Sequence, residues 1–233
     1  MFNNLGLPPS PKFEAPFPAW SQKDIWLVEQ AIVSAWQHLL QDQNARAVLS
    51  SGGEVEISHK LVEMLERILN ASSIKGFTGR RFCPPIRGQE LQDVSGTRLE
   101  KRPDLTFQLI SSQPYTQLNA LFFECKRISP KPLVSAYINE GLIKFCDQRY
   151  AWGMQHAGML AYVQGLVPPP KANSELQKHW ASNPTSPTLP ILPLAVDTQG
   201  SVAVTISKHN RHKPLPSGAA SGDVVLRHLW LSI

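Results

Sequence analysis

Asp104, Glu124 and Lys126 are the residues of this chain whose types and spacing best suit chemistry. They stand in Lys101-Arg-Pro-Asp-Leu-Thr-Phe107 and in Leu121-Phe-Phe-Glu-Cys-Lys-Arg-Ile128, with nineteen residues between the two carboxylates. Apolar residues at 105, 107 and 109 alternate with Asp104, Thr106 and Gln108, and this period of two predicts a strand. Ser111-Ser-Gln-Pro114 predicts a turn, and Leu118–Ile128 is apolar enough for an interior strand. Glu124 and Lys126, two apart, then share one face. Opposed side chains on neighbouring strands touch, so Asp104 is expected at the same locus. Ionised groups are costly to bury without a partner. Two carboxylates and the Cys125 main-chain carbonyl between them suit a hard cation such as Mg2+, with Mn2+ as a substitute. Such an ion polarises a phosphoryl oxygen and helps make hydroxide from water. Lys126 is suited to orient that water and to offset transition-state charge, or to act partly as a base if burial lowers its pKa.

The set Pro103, Asp104, Glu124 and Lys126, with hydrophobic strands around each, resembles the PD-(D/E)xK nuclease superfamily, the restriction-endonuclease-like fold. The resemblance implies an α/β fold: a restriction-endonuclease-like core with a central mixed β-sheet flanked by helices. It covers residues 50–165 well and the C-terminal third weakly, leaving 1–50 as an N-terminal arm and helical extension to a domain over 51–233. It implies metal-dependent hydrolysis of phosphodiester bonds by a DNA endonuclease, with Asp104, Glu124 and Lys126 catalytic. In that superfamily a glutamate on the helix before the first catalytic strand often completes the site. Ser51-Gly-Gly-Glu54 opens such a helix here, with Ile57, Leu61, Met64, Leu65, Ile68 and Leu69 as its apolar stripe. Glu54 falls on that stripe and is the expected further ligand; Glu56 points away and is the alternate. Ser51-x-x-Glu54 reads equally as a capping box.

Three stretches, Gly141–Phe145, Gln148–Ala151 and Gly158–Val163, look like small nuclease-like proteins associated with phage defence. That likeness brings Gln148, Arg149 and Tyr150 toward the site or the nucleic acid. Ser207-x-His209-x-Arg211 at a strand end resembles the same group, which makes His209 and Arg211 phosphate contacts. A homodimer, or a protein partner within a defence system, is the implied assembly. The competing expectation is a nuclease-like module that binds nucleic acid or a partner protein without cutting.

Composition agrees with an anionic partner. The formal net charge is +5. Residues 74–102 carry Lys75, Arg80, Arg81, Arg87, Arg98, Lys101 and Arg102 against Glu90, Asp93 and Glu100. A phosphate backbone is expected along this loop, at Arg80, Arg81 and Arg102 above all. Cys83, Cys125 and Cys146 form neither a zinc pattern nor a disulfide framework, which suits a reducing, cytoplasmic setting. No run of about 20 apolar residues predicts a membrane span.

The elements that must position these residues follow from periodicity. Ser21 with Asp24 predicts a capped helix carrying Ile25, Trp26, Val28, Ile32, Ala35, Trp36, Leu39 and Leu40. A second helix is expected over 53–70 and a third from Leu133 to about Gln155. Strands are expected near 104–109, 118–128, 158–164, 191–196, 202–207 and 224–231. Residues 167–190, with prolines at 168, 169, 170, 184, 187 and 190, predict a loop.

Overall fold

Leu121–Ile128 (β2) is buried along its first five residues, so it takes the interior position that its apolar run predicts. The computed structural model describes residues 15–91, 94, 103–128, 134–164, 169–199, 202–211, 213–215 and 217–233. In it, β2 belongs to a six-stranded sheet with β1 (Leu105–Phe107), β3 (His156–Val163), β4 (Ala195–Gln199), β5 (Val202–His209) and β6 (Val224–Ser232). The strand order is β1-β2-β3-β6-β5-β4. The central pairs β2–β3 and β3–β6 are parallel, and the outer pairs are antiparallel. Among the described residues five α-helices accompany the sheet: α1 (Gln22–Gln41), α2 (Gln43–Ser51), α3 (Glu54–Ala71), α4 (Ile143–Cys146) and α5 (Pro169–Ser182). A π-helical segment, Tyr137–Leu142, runs directly into α4. The protein is α/β, a mixed sheet flanked by helices.

Side chains alternate across the sheet, and each face meets different helices. Tyr162 and Arg227 share one face by the β3–β6 register, and α1 and α3 cover it. The Trp36 ring stacks on Tyr162 at 5.4 Å, and Ser58 hydrogen-bonds the Tyr162 hydroxyl at 2.9 Å. Arg227 pairs with Glu29 of α1 and, at 2.7 Å, with Asp197 of β4. The other face carries Glu124, Lys126 and His228 and receives the π-helical segment. There the Tyr137 hydroxyl meets His228 Nδ1 at 2.7 Å, His228 Nε2 meets Ser207 Oγ at 2.7 Å, and Ser207 meets His209 Nε2 at 2.6 Å. Burial lowers the pKa of both imidazoles, to about 4 for His209 and about 3 for His228, so this interior chain is uncharged at neutral pH.

Gly158 of β3 lies directly against the Phe123 side chain of β2. A Cβ there would lie 2.0 Å from the Phe123 ring, its register partner. Phe123 is fully enclosed and cannot swing away. Gly158→Ala is expected to destabilise the fold by about 1–3 kcal/mol through overpacking, read from urea unfolding. An unchanged midpoint would contradict this packing.

Several expected boundaries move. The segment 167–190 is not a loop throughout: α5 occupies Pro169–Ser182. Proline is tolerated in a first helical turn, whose N–H groups need no helical partner, and Ala172, Leu176 and Trp180 then form a buried stripe four residues apart. The helix expected from 133 to 155 ends at Cys146, because Gln148 and Ala151 turn the chain through left-handed conformations (φ 63° and 49°). The strand expected at 191–196 begins at Ala195, just after Pro193, which has no N–H to give a ladder. Ser51 is not the cap of α3. It ends α2, which Asp42 caps through the N–H groups of Asn44 and Ala45. The N-cap of α3 is Gly53. Ser21 does cap α1, accepting from the Asp24 N–H at 3.2 Å and donating to its carboxylate at 2.6 Å.

Candidate active site

The short edge strand β1 creates the site. Its register with β2 pairs Leu105 with Phe123, and one further step sets Asp104 opposite Glu124. Beyond that point β2 has no strand neighbour on this side among the described residues, so the N–H groups of Cys125 and Arg127 face an open edge. Two carboxylates close it. Asp104 Oδ2 accepts from the Cys125 N–H at 2.7 Å, and Glu54 Oε1 accepts from the Arg127 N–H at 3.1 Å. The N–H and C=O of one strand residue leave on the same side, so the Cys125 carbonyl faces this edge too.

Glu54 stands at the first position of α3, where its side chain leaves the helix sideways toward β2. Its second oxygen lies 3.1 Å from Lys126 Nζ. Glu56, the alternate, is spoken for: its carboxylate folds back to accept from the Gly53 N–H at 3.0 Å and caps the helix. Arg127 fastens the same junction, donating to the carbonyls of Gly52 at 2.5 Å and Ser50 at 3.0 Å.

Glu124 is the centre of the cluster and is 1% exposed. Its Oε1 is 3.1 Å from Lys126 Nζ and 2.5 Å from Lys144 Nζ. Its Oε2 is buried and has no hydrogen-bond partner among the described residues. Burial, then the neighbouring Asp104 charge, push the Glu124 carboxyl up to about 7 against the pull of the two lysines. Burial also raises Asp104, offset in part by the Cys125 N–H and by Lys126 and Lys144. Burial works against the Lys126 ammonium, but Glu124 and Glu54 outweigh it and hold its pKa above the usual lysine value. Lys126 is therefore a cation here, and the partial base character that burial alone would give it is not found.

The donor set fits a hard divalent ion: carboxylates, a main-chain carbonyl, an orphaned buried oxygen, and two acids whose ionisation is penalised by burial. Asp104 and Glu54 cap amides two residues apart, so they bracket Lys126 instead of converging. Among the described residues no three His, Cys, Asp or Glu side chains come close enough to form a metal-binding group.

Lys144 is the functional residue that sequence reasoning missed. It lies in α4, after the π-helical segment has brought Gly141 against Glu124 and Lys126. Its signal was a lone cation between Ile143 and Phe145 in an otherwise apolar stretch. Tyr150 lies beside this cluster, with Lys144 Nζ 5.2 Å from its ring centre. Gln148 is buried, and neither end of its amide has a partner among the described residues.

The expected phosphate contacts are scattered. Arg80 is exposed, while Arg81 is tied to Asp24 of α1 at 2.6 Å. Arg149 pairs with Asp147 at 2.7 Å. His209 is not at the surface: it is fully buried in the Tyr137–His228–Ser207 chain, out of reach of a phosphate backbone. Arg211 is likewise structural, donating to the carbonyls of Ala151, Trp152 and Met154. It pins the left-handed turn after α4. Arg102 lies outside the described residues.

No protein-family model, curated protein or solved structure matches this chain. Among the described residues no helix is long and apolar enough to cross a membrane.

The raised Glu124 pKa has a measurable consequence. Between about pH 4.5 and 7 the folded protein holds a proton that the unfolded chain has lost, so stability falls as pH rises through that window. The loss is on the order of 3 kcal/mol for this group. Thermal melting without metal should show this decline, and Glu124→Gln should flatten it. Added Mn2+ should raise the melting temperature more at pH 8 than at pH 5. Identical pH slopes for wild type and variant would remove Glu124 as the cause.

Proposed function

We propose that this protein is a metal-dependent nuclease of the restriction-endonuclease-like type, hydrolysing phosphodiester bonds in DNA. One observation carries the reading: Asp104, Glu124 and Lys126 stand together at the open edge of β2, and the buried Glu124 Oε2 has no partner among the described residues. Asp104, Glu124 and the Cys125 carbonyl would hold Mg2+ or Mn2+, with Glu54 at the margin. When bound, the ion polarises a phosphoryl oxygen and lowers the pKa of bound water. Lys126, held charged by Glu124 and Glu54, donates to the attacking oxygen or to the phosphate and offsets negative charge. Glu54 fixes the Lys126 ammonium in place. The net positive charge favours approach of the polyanion. Each such site cuts one strand, so double-strand cleavage calls for a homodimer, and a role in phage defence with a protein partner fits the same reading.

The test is incubation of the purified protein with circular DNA, linear DNA and RNA, in Mg2+ or EDTA. Cleavage of DNA that EDTA stops is the expected result. Absence of cleavage of every substrate in Mg2+ and Mn2+ would sink the proposal.

A second reading, a binding module without chemistry, is favoured by one observation. Asp104 and Glu54 already cap free amides of β2, and two lysines already balance Glu124. It predicts salt-sensitive DNA binding with no metal-linked change in melting.

A further inference from the structure

Glu124 Oε1 is shared by two ammonium groups, and this is more positive charge than one carboxylate oxygen requires. Lys126, its neighbour on the strand, is also held by Glu54. Lys144 comes from a different element, and its approach is built with care. The π-helical turn, with its wider backbone, is a form found often at functional sites. Gly141 within it lies flush on the cluster: a Cβ there would stand 2.8 Å from Met159 Cε, 3.3 Å from Lys126 Cγ and 3.5 Å from Glu124 Cγ. This close seating carries α4 down until Lys144 Nζ is 2.5 Å from Oε1. The Tyr150 ring lies beside the same ammonium, and the Tyr150 N–H donates to the Lys144 carbonyl at 3.0 Å. Backbone and side chain of Lys144 are both fixed.

We propose that Lys144 is a built-in counter-ion of the carboxylate locus, occupying Glu124 Oε1 so that the locus accepts a single divalent cation. The formal charges support this. Asp104, Glu124 and Glu54 contribute three negative charges, and Lys126 and Lys144 return two positive ones. The remaining single negative charge attracts a divalent ion, and the first such ion leaves no anionic charge for a second. Oxygen supply gives the same answer: with Oε1 engaged twice, Oε2 is the one uncommitted oxygen of Glu124. Lys144 acts through Glu124 and is a positioning residue. The inference rests on the nuclease reading only in taking a divalent ion as the site's ligand.

The experiment is calorimetric titration of the substrate-free protein with Mn2+, for wild type, Lys144→Gln and Lys144→Arg, each checked for folding by its melting transition. Wild type and Lys144→Arg should bind one equivalent. Lys144→Gln keeps a hydrogen-bond donor but loses the charge, and should bind the first ion about tenfold more tightly or take up a second. Two equivalents on wild type, or a Lys144→Gln isotherm that superimposes on wild type, would overturn the proposal. Lys144→Met supplies the same comparison if Lys144→Gln fails to fold. DNA cleavage, measured separately, keeps the two readings apart. The expected isotherms without any cleavage would leave Lys144 as the counter-ion of a metal site and remove the nuclease. Cleavage with superimposed isotherms would do the reverse, and no binding by any variant would remove both.

Discussion

Asp104→Asn is expected to lower metal-dependent DNA cleavage by about 10³-fold while leaving the protein folded. The asparagine side-chain oxygen can still accept from the Cys125 N–H, which now bonds Asp104 at 2.7 Å. What it lacks is the negative charge. A bound metal ion contributes several kcal/mol of transition-state charge stabilisation, part of which is lost when an anionic ligand is removed, and each 1.36 kcal/mol is a factor of ten in rate. Asp104→Ala removes charge and acceptor together, so the difference between the two variants isolates the edge-capping role. Lys126→Gln should cost about 10²–10³-fold, because the amide keeps a donor but loses the positive charge aimed at developing negative charge. The measurement is the initial rate on plasmid DNA at saturating Mg2+, with circular dichroism to confirm folding. Full activity of both Asp104→Asn and Lys126→Gln would place the chemistry elsewhere.

Arg227→Ala should cost about 3–5 kcal/mol of stability, because it strands a buried carboxylate. Arg227 donates through Nε and Nη2 to Glu29, with Asp197 2.7 Å from Nη2. Glu29 is almost fully buried, and that burial raises its pKa despite the guanidinium beside it. Domains of ordinary stability have only about 5–15 kcal/mol in total, so the loss is a large share. Urea unfolding at neutral pH measures it. The pair Glu29→Leu/Arg227→Met should recover much of the loss, since replacing both partners leaves no orphaned charge. A single-variant cost below about 1 kcal/mol would mean the pair is better hydrated than its burial indicates.

The strands that carry the candidate site were legible because their signals are local. Alternation from Leu105 to Leu109 and the apolar run ending at Ile128 specify β1 and β2, whereas their antiparallel register, set across residues 108–120, is written in neither pattern. Glu54 was legible from helical phase, although the reason that it beats Glu56 is a capping bond at Gly53 that periodicity does not encode. Lys144 was not legible. Its place depends on a π-helical turn, and an extra residue in a turn defeats any count at 100° per residue. His209 misled for a related reason. A histidine beside Lys208 and Arg211 reads as part of a basic loop, and only the register of β5 with β6 shows its ring turned into the core. Pro169 and Pro170 read as punctuation when they stand at the start of α5, where proline costs little.

The Glu29–Arg227 contact joins residues 198 positions apart, and the Trp36 indole N–H reaches the Ser232 carbonyl across 196. The bonds of the site are short in sequence by comparison: Asp104 to Cys125 spans 21 positions and Lys144 to Glu124 spans 20. Loop closure over long separations is entropically expensive and slows folding. During synthesis the β1–β2 hairpin and the turn carrying Lys144 therefore have their partners at hand, while α1 waits for β6. α3 can dock on α1 early, but the sheet side of α1 and the Glu29 carboxylate stay uncovered until β6 has been made. The helix that gains its first neighbours early is thus completed last, and in that interval a buried carboxylate waits for its cation.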